Sequence, residues 1–149
     1  MLKGISPLIS PQLLECLASM GHGDYLVIGD CNYPCASTSD RTIRADGVKA
    51  TELLKAILKL LPLDVDEPGD PVVFMKSTDN PNYVPEIWKE FEEIVNKYEP
   101  KATFGKQDRF GFYDVSRKAY ANIQTSEEQY FGCIILRKGV WFTKNETER

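Results

Sequence analysis

The feature that most constrains this chain is an alternation. Stretches with apolar residues at helical spacing are separated by short runs that fit strands. Leu13, Leu14, Leu17 and Met20 recur at helical intervals behind Ser10-Pro11, a pair suited to capping and starting a helix. Leu53, Leu54, Ile57, Leu58 and Leu61 form the buried stripe of a helix over 51–61, with Glu52, Lys55 and Lys59 outside and Pro62 as its stop. Ile87, Trp88, Phe91, Ile94, Val95 and Tyr98 repeat the pattern after Pro85. A further helix is expected over 112–118, its start weakened by Gly111. Between and after these helices lie candidate strands at 25–29, 42–44, 72–75, 102–104, 120–125 and 133–136. Helices alternating with strands imply an α/β fold: a single layered α/β/α domain over 1–142 with a largely parallel central sheet. The charged residues 143–149 read as a frayed tail.

Composition narrows the function. A chain of 149 residues has the length of one domain with a real core, and its net charge of −4 leaves no basic footprint for nucleic acid. No apolar run approaches the roughly 20 residues that span a bilayer, and Met1-Leu2-Lys3-Gly4, with no charged region followed by an apolar stretch, is not expected to open a signal peptide. A cytoplasmic protein without membrane contact is the expectation. The four cysteines, Cys16, Cys31, Cys35 and Cys133, lack the second pair or the histidines of a zinc finger, so reduced, partly buried thiols are expected and no metal. Glycine loops of the nucleotide-binding types are absent, as is a G-x-S-x-G elbow, so no cofactor is indicated.

Residues 20–35 concentrate the chemistry that remains. His22, the only histidine, sits between Gly21 and Gly23. Its position predicts a helix C-terminus, where the helix dipole and the nearby Asp24 and Asp30 favour a protonated ring. A histidine that merely caps the last helical carbonyls fits the same position. Asp30 follows the apolar run 25–29, at the carboxyl end of a parallel-type strand, where open α/β sheets gather ligands. The loop 31–40 is polar and expected at the surface, able to close one side of a pocket. The acidic stretch 64–70, turned by Pro68-Gly69, reads as a solvated connection.

Several segments, in order, resemble the L-fucose mutarotase family, which is related to the D-ribose pyranases. They are residues 1–11, Met20-Gly21-His22-Gly23-Asp24, Ile43-Arg44-Ala45-Asp46-Gly47, Leu60-Leu61-Pro62-Leu63-Asp64, Asp108-Arg109-Phe110-Gly111-Phe112-Tyr113 and Ile135-Leu136-Arg137-Lys138-Gly139-Val140. The resemblance implies a ribose pyranase-like fold. It also implies an isomerase that interconverts the α and β anomers of a reducing sugar without metal or cofactor. In that pattern His22 is the proton donor, and Asp30 and Arg109 bind sugar. Members form homo-oligomeric rings, often decamers, with sites near subunit boundaries. Trp88, Tyr33 or Tyr113 could pack the apolar sugar face, while Phe91 and Phe112 read as core. The family's Tyr-Gly-Asn or Tyr-Ala-Asn, which contacts the sugar before the last strand, is Phe131-Gly132-Cys133 here. Tyr130 is expected on the opposite strand face. Two functions follow: a mutarotase, most naturally for L-fucose, or a weak or inactive monosaccharide-binding relative.

Overall fold

The computed structural model describes residues 1–143; of the charged tail, 144–149 lie outside the described residues. The elements run α1 (Pro11–Ser19), β1 (Tyr25–Gly29), α2 (Cys35–Thr38), β2 (Thr42–Ala45), α3 (Ala50–Leu58), β3 (Val72–Met75), α4 (Glu86–Tyr98), β4 (Phe104–Gln107), α5 (Arg109–Lys118), β5 (Ala121–Thr125) and β6 (Ile134–Arg137). The six strands form one sheet in the order β2-β5-β1-β6-β3-β4. Neighbours are parallel except at β6, which runs antiparallel to both β1 and β3.

The direction of β6 has a simple cause. Parallel neighbours need a crossover of about a dozen residues or more. The β5–β6 link is residues 126–133, and the two strands lie on either side of β1. So short a link can only arch over the carboxyl end of β1 and send β6 back the other way. That arch carries Phe131-Gly132-Cys133 to the strand end that bears Asp30.

Side-chain alternation along the strands divides the core. Leu26 and Ile28 of β1 face one layer, packed with Leu13, Leu53, Ile57, Ile87 and Phe91 of α1, α3 and α4. Val27 faces the other, packed with Tyr33, Cys35 and Phe112 beneath α2 and α5. The result is the expected three-layered α/β/α arrangement.

Several boundaries differ from those read in the sequence. The first helix ends at Ser19, and Met20 is already extended (φ −66°, ψ 139°), so His22 occupies a turn beyond the helix rather than its last residues. Gly23 makes that turn at φ +85°, and the turn is pinned to β6 because Gly23 N donates to Lys138 O at 2.8 Å. Helix α5 starts three residues early because Asp108 caps it: its Oδ1 accepts from Gly111 N at 2.8 Å. In the first turn the flexibility of Gly111 costs little. Strand β4 lies at Phe104–Gln107 rather than 102–104, in register with Val72–Met75 of β3. Part of the polar loop 31–40 forms α2, a single turn.

Candidate active site

Asp30 sits where β1 ends, against the arch. Its Oδ1 accepts from Asn32 N at 3.0 Å, and its Oδ2 accepts from the Cys133 thiol at 3.4 Å. Gln124 Nε2 donates to Asp30 O at 2.6 Å and holds the backbone from the β5 side. Burial pushes the Asp30 carboxyl above its usual range, partly offset by the Asn32 and Cys133 hydrogen bonds. Burial likewise pushes the Cys133 thiol well up, so that it remains a donor to Asp30.

Asp30, Arg109, Phe131 and Cys133 line one pocket of about 340 Å³, within the ~300–1,000 Å³ typical of small-molecule sites. Helix α5 contributes Arg109 at its first position and Tyr113 one turn on. The Arg109 guanidinium lies 4.7 Å from the Phe110 ring centroid and has no ion-pair partner among the described residues. Gly132 lies buried behind this wall: a Cβ there would sit 2.7 Å from Glu127 Cγ and 3.0 Å from Gln129 O, so a larger residue would force the arch to shift. Three further pockets, of about 390, 500 and 340 Å³, lie against the N-terminal segment, below α3 near Trp141, and between α1 and the start of β2, where Glu15 and Arg41 are among the lining residues. None of the three lies at a strand's carboxyl end, and the Glu15–Arg41 pocket sits at the amino ends of β2 and β5, so position and chemistry rather than size pick out the Asp30 pocket.

His22 is not in that pocket. It lies at the opposite end of β1, which at about 3.3 Å per residue separates the two groups by roughly 16 Å or more. Its partner is Asp64, 42 residues away, rather than Asp24 or Asp30: His22 Nε2 lies 3.2 Å from Asp64 Oδ1. The Asp64 side chain is 5% exposed and that of His22 45%, so a buried carboxylate orients a ring that is open to solvent. Arg137 completes the group, its Nε 2.9 Å from Asp64 Oδ2 but off the hydrogen-bond line, an ion pair rather than an aligned bond. Its other nitrogens donate to the carbonyls of Asp64, Glu67 and Pro68, each at 3.2 Å. Asp64 therefore belongs to a buried ion-paired cluster and not to the solvated connection read from its acidic neighbours.

The three aromatic expectations divide. Trp88 is core, stacked on Phe74 with ring centroids 5.3 Å apart. Tyr33 and Tyr113 both line the Asp30 pocket, their rings 5.5 Å apart. Tyr130 departs from its expected place. It is in a turn, not a strand, and opens onto the same pocket as Phe131. Asp64 carried no local signal, because its partners come from distant segments. Among the described residues no cluster of three or more His, Cys, Asp or Glu side chains is placed to hold a metal ion.

A three-layered α/β domain with a small polar pocket at the carboxyl end of its central strand defines a small-molecule-binding protein of ribose pyranase-like architecture. The chain belongs to the RbsD/FucU family: the model of the RbsD / FucU transport protein family matches residues 3–141. It is 41% identical to the fucose mutarotase of Homo sapiens over 144 residues, 93% of this chain and 94% of that protein. It also resembles the crystal structure of the fucose mutarotase of Streptococcus pneumoniae in complex with L-fucose, at 40% identity and a TM-score of 0.88, covering 95% of this chain and 100% of that one. FucU from Bifidobacterium longum matches with the same TM-score at 35% identity, over 94% of this chain and 100% of that one.

Proposed function

We propose that this protein is a carbohydrate isomerase, a mutarotase that interconverts the α and β anomers of a monosaccharide, L-fucose foremost. The observation that carries this reading is the 41% identity to human fucose mutarotase over nearly the whole of both chains. The likeness to a relative solved with L-fucose supports the choice of sugar. The reading assigns the activity to a single domain over 1–142. It places the enzyme in the cytoplasm, which suits four free cysteines and the lack of a helix long and apolar enough to cross a membrane among the described residues.

Mutarotation needs a proton delivered to the ring oxygen and another removed from the anomeric hydroxyl. The ring opens, the aldehyde end rotates, and the ring recloses on the other face. His22 is the proposed donor. Asp64 engages one nitrogen of a half-exposed ring, the usual way a carboxylate fixes an acid–base histidine. Asp30 and Arg109 hold sugar hydroxyls by charge-assisted hydrogen bonds, and Tyr113 adds a phenol. General acid–base catalysis of this kind typically contributes ~10²–10⁴-fold.

One pyranose cannot touch His22 and Asp30 of the same protomer, because β1 stands between them. The proposed site is therefore shared, with His22 delivered to the Asp30 pocket by a second copy. A homo-oligomer, of which the decameric ring is the proposed form, supplies that neighbour. A second reading rests on Phe131 and Cys133: without the phenol and amide of the family pattern, the pocket would bind sugar but turn it over weakly or not at all.

Saturation-transfer NMR of L-fucose, galactose and ribose separates the two. The wild type is expected to accelerate anomer exchange of L-fucose, and His22→Ala to return it to the buffer rate. Sugar binding without faster exchange would leave the binding-protein reading standing instead.

A further inference from the structure

We infer that Tyr130 is a sugar-contacting residue of this protein, supplying ring and phenol at the mouth of the Asp30 pocket where Phe131 and Cys133 lack the polar groups to do so. The inference rests on the mutarotase reading and names a contact within that site.

Tyr130 lines the pocket yet is 81% exposed, and its hydroxyl makes no hydrogen bond among the described residues. A large aromatic ring left in water beside a polar cavity is an unpaired binding surface. Tyrosine joins an apolar face, suited to the C–H face of a pyranose, to a polar tip that can pair with a hydroxyl. The neighbouring residues are already engaged. The Phe131 ring packs toward Tyr83, centroids 6.0 Å apart, and carries no hydroxyl. The Cys133 thiol is committed to Asp30 Oδ2.

The backbone explains why Tyr130 reaches the pocket. Phe131 is the one non-glycine residue with positive φ (57°) among those described. A left-handed step reverses the side-chain alternation a strand would impose, so consecutive residues 130 and 131 address one cavity. Such a conformation persists only where its surroundings hold it. Here the holder is Glu127, 1% exposed. Its Oε1 accepts from Gln129 N at 3.1 Å and its Oε2 from Ala50 N, the first residue of α3, at 3.2 Å. Its own carbonyl accepts from Cys31 N at 2.8 Å, which ties the turn to the Asp30 loop. Glu127 is thus a positioning residue, and Tyr130 the group that would touch sugar.

Tyr130→Phe and Tyr130→Ala change an exposed side chain, so both variants should fold. Saturation-transfer NMR across an L-fucose concentration series gives KM and kcat for each, and sedimentation velocity gives their assembly state. Tyr130→Phe is expected to raise KM about threefold to tenfold, and Tyr130→Ala by about tenfold or more, with kcat held within about twofold and assembly unchanged. An active wild type whose KM neither variant shifts overturns the assignment. So does a Tyr130→Ala protein that changes assembly state while its KM stays the same, since that residue would then serve a subunit contact. A wild type that neither binds nor interconverts any of the three sugars overturns the mutarotase reading itself.

Discussion

At the scale of single residues, Asp30 shows what the site costs the fold. Burial raises its carboxyl above the usual value, so the folded state holds that proton more tightly than the unfolded chain. Between the unfolded and folded values folding takes up a proton. Stability contributed at this position therefore falls as pH rises through the carboxylate range and is fully lost above the folded-state value. Asp30→Asn removes that dependence. In urea denaturation its stability relative to wild type is expected to improve as pH rises above the ordinary carboxylate value of about 4, while L-fucose binding is lost. A relative stability that stays flat over that range would show Asp30 to be no more costly folded than unfolded. Asp30, Arg109 and the Phe131–Cys133 departure were legible in the sequence as residues of interest. Asp64 was not: its role needs Arg137 and His22 beside it, and neither is near it in the chain.

At the scale of elements, α5 and the β5–β6 arch build the pocket. The Asp108 cap fixes the first turn of α5, which carries Arg109, with Tyr113 one turn on. Asp108→Ala is expected to cost about 1 kcal/mol of stability in urea denaturation. It should also raise KM for L-fucose more than it lowers kcat, because it loosens the residues proposed to hold the sugar rather than the proposed proton donor. Helical periodicity revealed four of the five helices, since their buried stripes are local patterns. It misplaced the start of α5, because a capping hydrogen bond outweighs the poor helix propensity of one glycine in a first turn. Strand alternation set Tyr130 on the opposite face, and it fails there because the next residue, Phe131, leaves the extended region.

At the scale of the whole molecule, the separation of His22 from Asp30 is the governing fact. The proposed shared site makes a specific demand on mixed assemblies. His22→Ala and Asp30→Asn should each be inactive alone. Dissociated together and reassembled, they should regain activity in about a quarter of sites, those pairing an intact His22 from one copy with an intact Asp30 from another. Saturation transfer on the mixture reads this directly, and a mixture as inactive as its parents would confine any working site to one protomer.

The sequence by itself determined the layered α/β architecture, because helical and strand periodicities are local and each apolar face must be buried. It also determined the chemical inventory: one histidine, a strand-end aspartate, and an arginine before an aromatic segment. The tertiary structure alone decided which of these groups meet. A link too short for a crossover folded residues 126–133 over the end of β1 and brought Cys133 to Asp30, while the return of β6 brought Arg137, Asp64 and His22 together at the other end. Contacts between residues tens of positions apart depend on how strands are ordered in the sheet, and no local pattern encodes that order.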